Sequence, residues 1–359
     1  MSGVAAGAAE RGLVPDPLSR IGIRRLLARR LQQEGVGDPA DERRDRRRDL
    51  VAAMSAGPIA LFTDEANEQH YELPPRFFEL MLGPRRKYSC CRFDDLSSPM
   101  AEAAGQLAAA EDAMLAATGE NAQLEDGMRL LDLGCGWGSL TLYVAEQFPA
   151  CRITAVSNSG PQRAYIEARA AERGWSERVT VRTADINDLA LTAGDGAPFD
   201  RVISVEMFEH MRNWRALLER VSTWLSPDGR ALIHVFCHRE LPYLFEPRHD
   251  DDWMARHFFT GGLMPSADLL SAFGEHLEVE DTTRFDGRHY QRTSEAWLAR
   301  LDANREEALA LCREVYGADD AERWLRRWRL FHLACAELFG AEGGAEWFVQ
   351  HYRLRPATA

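Results

Sequence analysis

Between residues 128 and 237, five short apolar runs rich in valine and isoleucine alternate with stretches of helical pattern: "MRLLDLG", "CRITAVSN", "RVTVRTAD", "FDRVISVEM" and "RALIHVFC". Each run is apolar throughout rather than at every second residue, which suits strands covered on both faces. Such a sheet is mainly parallel and carries its connections as helical crossovers. The expected fold is therefore a doubly wound α/β domain. The intervening helices have sensible boundaries: ahead of "QRAYIEARAAERG", Ser159 and Pro161 suit a helix start, and Gly174 suits its end.

Composition narrows the function more by exclusion than by assertion. The 359 residues are 45% hydrophobic and 28% charged, ample for a core, and the formal net charge is −13. A sequence-independent grip on nucleic acid needs a basic face, so cationic or neutral partners are expected instead. No apolar stretch reaches the roughly 18 residues a membrane helix requires, and "MSGVAAGAAERG" has neither a basic start nor an apolar signal core. The expected location is the cytoplasm. Seven scattered cysteines without a C-x-x-C pair argue against a zinc site or a disulfide framework, and no metal is expected.

Residues 18 to 54, with "LSRIGIRRLLARRLQQE" and "ERRDRRRDLVAAM", have a charge-rich helical pattern, with "GDPADE" as a loop between two helices. Acids are interleaved with the arginines, so the stretch reads as a solvated accessory arm. The first strand enters "LDLGCGWGSL", a G-x-G-x-G turn at Gly134, Gly136 and Gly138. Glycines at this spacing let the backbone turn sharply and approach a ligand, and nucleotide-like ligands sit at the edge of the first strand in such sheets. This is not the dinucleotide fingerprint, and a plain tight turn stays open on the glycines alone.

The surrounding sequence resembles the class I methyltransferases that use S-adenosylmethionine. Asp132 in "LDLGCG" fits their first motif, and Asp185 and Ile186 in "TADI" fit the position that reads the adenine ring. Where most of these enzymes carry an acid for the ribose, this chain has "AVSNSGPQ"; Asn158 and Gln162 offer amides that also bond hydroxyls. Longer segments resemble the cyclopropane fatty acid synthase superfamily, and within it the branch of the plant coclaurine N-methyltransferases. They include "GLVPDPLSRIGIRRLLARRL", "DEANEQHYELPPRFFELMLGPRRKYSCC", "LLDLGCGWGSLTLYVAEQFP", "VEMFEHMRNW" and "HYQRTSEAWLARLDAN". The resemblance implies a class I, Rossmann-like seven-stranded, mainly parallel sheet with an N-terminal helical arm and a helical lid. It implies S-adenosylmethionine as cofactor and a "YSC" segment folded over it, which nominates Tyr88 and Ser89 beside Gly134 and Gly136. It admits a homodimer without requiring one.

The fourth strand of such a sheet ends beside the transferable methyl group, and here it runs into "RVISVEMFEHMRNW". Glu206, Glu209 and His210 thereby fall in the reaction pocket, although acids also favour a first helical turn. Lipid-modifying members of the superfamily read G-x-F-E-H here, whereas the amine methyltransferases read E-x-F-E-H, as this chain does. Methyl transfer to an amine needs a neutral lone pair and loss of a proton. His210 is expected as the general base, Glu209 as its partner and Glu206 as the carboxylate that positions the cationic amine.

The alternative acceptor is an unsaturated acyl lipid. Cys90, Glu209, His234 and Tyr290 match residues that hold a bicarbonate base in the lipid enzymes, and Tyr71 and Glu72 join the same substrate or bicarbonate pocket by resemblance. Cys335 in "LACAELFG" matches a position suspected of catalysis, although direct transfer needs no thiolate and a packed cysteine is the commoner outcome.

The chain is expected to divide into an arm at 1–60, a cofactor-binding core at 61–264, and a lid with closing strands at 265–359. In the last part, 293–316 reads as one helix stopped by Gly317, followed by a second carrying Trp324, Trp328, Phe331 and Cys335. "EPRHDDDW" would add an acidic mouth that favours cations. "HLEVEDTTRF" and "WFVQHYRL" are expected to pair as antiparallel closing strands.

Overall fold

The structure, a computed structural model, describes residues 3–61, 73–247 and 252–357. Five parallel strands occupy the region of the apolar runs: β1 (Arg129–Leu133), β2 (Arg152–Ser157), β3 (Val179–Thr183), β4 (Phe199–Val205) and β5 (Leu225–His238). Two more strands join this sheet, β6 (Leu277–Phe285) and β7 (Trp347–Pro356), and its order is β3-β2-β1-β4-β5-β7-β6. Strand β7 lies antiparallel between β5 and β6, as the closing pair was expected to lie.

Continuous apolar character has the expected cause. Along β1, Leu130 joins one buried cluster with Ile203, Leu232 and Ile166, while Leu131 and Leu133 join another with Val202, Ile233 and Leu217. Successive side chains point to opposite faces of a strand, and here both faces are dry. Helices α6 (Ser139–Gln147) and α7 (Gly160–Glu172) cover the first side, and α8 (Trp214–Trp224) the second. The Ser159 hydroxyl caps α7 by accepting from Gln162 N–H, and Asn213 caps α8 in the same manner through Ala216.

Ahead of the sheet stand α1 (Gly3–Glu10), α2 (Asp16–Gln33), α3 (Ala40–Ala53), α4 (Pro75–Met81) and α5 (Ala103–Asn121). Beyond β5 come the short α9 (Trp253–His257) and two long helices, α10 (Gly287–Ala303) and α11 (Arg305–Phe339). The expectation of one helix over 293–316 is corrected here. The chain leaves helical geometry at Asn304, whose amide instead donates to Leu80 and Arg300 carbonyls. Gly317, at φ 77°, does interrupt α11 where a stop was expected.

Helix α2 of the arm is less solvated than its charge pattern suggests, while α3 buries none of its residues, as expected. Arg20 pairs with Glu295 at 2.6 Å and Glu337 at 2.9 Å, so α2 is fastened to α10 and α11 together. Arg30 pairs with Asp252 at 2.7 Å, and Arg329 of α11 reaches back to Asp16 at 2.9 Å. These charges of α2 are therefore partners across elements, with Ile23 and Leu333 packed beside them, whereas the pairs Arg46–Asp38 and Arg48–Asp45 of α3 are local and exposed.

One close approach fixes α10, and with it any side chain it presents to the sheet. A Cβ on Gly287 would lie 2.1 Å from the Trp347 carbonyl oxygen and 2.4 Å from that of Phe339. Both are backbone atoms that cannot rotate aside. Gly287→Ala should therefore cost about 3 kcal/mol, read as a lower urea midpoint at unchanged slope. An unchanged midpoint would mean that this junction yields freely.

Candidate active site

Two cavities meet at the carboxyl end of β4. The smaller, about 130 Å³, is lined by Gly134, Gly136, Ser157, Asn158, Gln162, Asp185 and Ile186. These come from the turns after β1, β2 and β3, where a parallel sheet opens toward ligands. Gly134, at φ 83°, passes so close to Met207 that a Cβ would stand 2.9 Å from that side chain. Gln162 takes the Ser157 hydroxyl on Oε1 at 2.6 Å, while its Nε2 is buried without a partner. That unpaired donor in a cavity floor fits a hydroxyl-bearing ligand such as a ribose. The six expected cofactor residues Gly134, Gly136, Asn158, Gln162, Asp185 and Ile186 thus come together.

Three others do not join them. Asp132 is buried beneath the turn, where it accepts from the Thr141 hydroxyl at 2.6 Å, and burial raises its carboxyl to about 6. It braces β1 against α6 rather than lining the cavity. Ser89 is buried against the Lys87 ammonium, and Tyr88 lines the other cavity.

Glu206 and His210 line both cavities. At Glu206 the chain turns out of the sheet with φ 47°, a left-handed conformation that disfavours a side chain. Its amide still donates to the His234 carbonyl at 2.8 Å, so the strand ladder ends at this residue. The carboxylate is gripped by donors from three separate elements. Oε1 accepts from Cys90 N–H at 2.8 Å and meets His234 Nε2 at 3.2 Å, and Oε2 accepts from the Tyr290 hydroxyl at 2.6 Å. Three residues expected as a bicarbonate set are therefore committed to a carboxylate of the chain itself.

Burial raises the Glu206 carboxyl, while the Lys87 ammonium and the donors from Cys90 and Tyr290 oppose the rise. Glu209 is pushed well above the usual carboxylate range by burial and by Glu206. Its Oε1 accepts from Phe236 N–H at 2.9 Å and its Oε2 has no partner. Two buried, mutually repelling carboxyls do not ionise together; Glu206, with the better donors, carries the charge and Glu209 stays protonated. The expected pairing of Glu209 with His210 is not formed. The two are neighbours on a single turn, Phe208–His210, and the Glu209 side chain goes to the β5 backbone. The His210 ring instead packs against Phe259 at 4.6 Å.

The larger cavity, about 280 Å³, lies on the lid side of Glu206. Its walls are mostly apolar and include the rings of Tyr88, Phe236, Phe259, Tyr290, Trp297 and Phe331. Cys335 also lines it, and burial together with Glu206 pushes that thiol up to about 12, so it is neutral at physiological pH. Tyr71 and Glu72 lie outside the described residues, as do Arg248 to Asp251 of the expected acidic mouth.

Sequence reasoning missed several components. Leu26, Leu27 and Arg30 of α2 form part of the larger cavity's wall, although their helix reads as a polar arm. Lys87, only 1% exposed, lies within "GPRRKYSCC", where nothing separates it by pattern from the half-buried Arg85 and Arg86. His351 is buried behind His234, and strand alternation in "WFVQHYRL" could have placed it inward.

The family model "Mycolic acid cyclopropane synthetase" matches residues 62–345. The (S)-coclaurine N-methyltransferase of Thalictrum flavum subsp. glaucum is 37% identical over 346 residues, covering 95% of this chain and 92% of that protein. The cyclopropane-fatty-acyl-phospholipid synthase of Escherichia coli (strain K12) is 32% identical over 286 residues, covering 79% of this chain and 66% of that protein. The crystal structure of a coclaurine N-methyltransferase bound to N-methylheliamine and SAH superposes with a TM-score of 0.90 at 36% identity, over 97% of this chain and 98% of that one. The seven-stranded sheet, the cofactor cavity and these likenesses together place the chain in the mycolic acid cyclopropane synthetase family, as a class I S-adenosylmethionine-dependent methyltransferase.

Proposed function

We propose that this enzyme methylates the nitrogen of a small aromatic or arylalkyl amine. The observation that supports this most is the Glu206 carboxylate, fixed by Cys90, His234 and Tyr290 at the junction of the two cavities. An anion held by three donors in an apolar pocket with several aromatic rings attracts a cationic amine, and the ring faces add to that attraction. The likeness to enzymes named for coclaurine and pavine N-methylation points the same way.

When bound, S-adenosylmethionine supplies an electrophilic methyl group. Gly134, Gly136, Asn158, Gln162, Asp185 and Ile186 are the residues that would hold it. The protein's own work is alignment and proton handling. Glu206 draws the ammonium to the junction, and His210, open to both cavities, accepts the proton that the nitrogen sheds. Cys335 acts as wall rather than reagent, because its neutral thiol is no nucleophile. A lipid acceptor would call on Cys90, His234 and Tyr290 for a bicarbonate base. Their commitment to Glu206 weighs against that reading.

Incubating the protein with methyl-labelled S-adenosylmethionine, a panel of arylalkyl amines and unsaturated phospholipid vesicles should place label in a basic, water-soluble product. Label confined to acyl chains would overturn the proposal. Glu206→Gly and Glu206→Ala should each lower kcat/KM for amines about 100-fold by removing the anion. The glycine variant should be the more stable of the two by about 1 kcal/mol, since glycine tolerates φ 47°. Amine turnover surviving in both variants would remove Glu206 from the mechanism. His210→Ala should lower kcat about 100-fold while calorimetry finds cofactor affinity within about threefold; an equal loss in both would assign the residue to cofactor binding instead.

A further inference from the structure

A line of hydrogen bonds leads away from Glu206 through the sheet. His234 Nε2 meets Glu206 Oε1 at 3.2 Å, His234 Nδ1 meets His351 Nε2 at 2.8 Å, and His351 Nδ1 meets Asn121 Nδ2 at 2.9 Å. Strand register creates it, because His234 of β5 and His351 of β7 are direct antiparallel partners. Both imidazoles are buried, and Asn121, the last residue of α5, is half-buried.

Burial holds both histidines well below their ordinary titration range, so each imidazole is neutral and carries one N–H. With one proton per ring, the ends of the line decide its direction. An ionised Glu206 only accepts, and the Asn121 amide nitrogen only donates. The order that satisfies every bond runs from Asn121 N–H to His351 Nδ1, from His351 Nε2–H to His234 Nδ1, and from His234 Nε2–H to Glu206. In the reversed order His234 would turn a lone pair toward Glu206. That contact is tolerable only with Glu206 protonated, and a protonated Glu206 cannot attract an ammonium.

We infer that Asn121 and His351 are positioning residues: the N–H order they impose makes His234 a donor to Glu206 and so keeps that carboxylate anionic in the acceptor cavity. This rests on the reading of Glu206 as the cation anchor. The other titratable groups around Glu206 are Lys87, Cys90, Cys91, Glu209, Tyr290 and Cys335, with His210 beside it in both cavities. Burial keeps Cys90, Tyr290 and Cys335 neutral at physiological pH, and Glu209 is held protonated by burial and by Glu206 itself.

Nitrogen-15 NMR of the histidine-labelled protein tests the order without any substrate. Both His234 and His351 should show a protonated Nε2 and a bare Nδ1, and Asn121→Leu should leave a mixture of tautomers. In the same variant the ratio of kcat/KM to the wild-type value should fall about tenfold toward low pH. Its acid limb should move up by about one unit, with recovery near pH 9. His351→Leu should shift the limb likewise, and His351→Gln, whose amide N–H reaches the place of Nε2–H, should regain part of the loss. A wild-type His234 protonated on Nδ1 would overturn the inference, and this holds even if the substituted proteins fail to fold. So would an Asn121→Leu variant with unchanged tautomers and an unchanged acid limb. Correct tautomers with amine turnover surviving in Glu206→Gly would sink the anchor reading, and with it the positioning role, while leaving the bonded line intact.

Discussion

Everything about the site depends on keeping one carboxylate charged where charge is expensive. The Glu206 side chain is 8% exposed, and an isolated anion so deep would simply take up a proton. It escapes that because the segment before α5 contributes a backbone N–H, β5 an imidazole and α10 a phenol, with the Lys87 ammonium as an additional field. No single element could supply donors from such different directions. Helix α10 is thus part of the anion's solvation as well as a cover for the sheet.

The same requirement explains why the lid is tied to the core at so many points. Tyr290 donates from the first turn of α10, so a shift of that helix would remove a donor. Gly287 brings the helix start against the β7 and α11 backbones, and Arg292 further along it donates to the Ser98 carbonyl at 2.7 Å. The Thr293 hydroxyl accepts from Cys91 N–H at 3.0 Å, next to the residue whose own N–H holds Glu206. Packing of this kind keeps a hydrogen-bonding geometry rigid and spares the anion any reorganisation when a substrate enters.

Much of this was legible in the sequence, for reasons that differ between the sheet and the site. Strands β1, β2, β4 and β5 announce themselves because dry faces demand continuous apolar runs, the edge strand β3 by alternation, and the glycine turn because only glycine accepts φ 83° hard against Met207. Glu206 and His210 fall at the end of β4, and strand ends are readable. Partnerships were not. That Glu209 bonds to the Phe236 amide, that Asp132 braces Thr141, and that α2 walls the acceptor cavity are consequences of three-dimensional register. Sequence spacing does not encode that register. Lys87 is the clearest case, since a lysine inside a basic run gives no sign that it will be buried.

A comparison within the superfamily gives the positive φ at Glu206 a meaning. The lipid-modifying pattern has glycine at this position, and glycine occupies φ 47° without strain. A backbone that turns out of the sheet in this way is therefore comfortable with no side chain and slightly strained with one. Placing glutamate there costs conformational energy and also requires burying a carboxylate. It fills the donors of Cys90, His234 and Tyr290 with an anion that cannot diffuse away. A dissociable base suits an apolar alkene that must lose a proton late. A tethered anion suits an acceptor that arrives already charged. The proposed function thus assigns the choice of acceptor to the residue at the end of β4, which sets what neutralises these donors and leaves the cofactor cavity as it was.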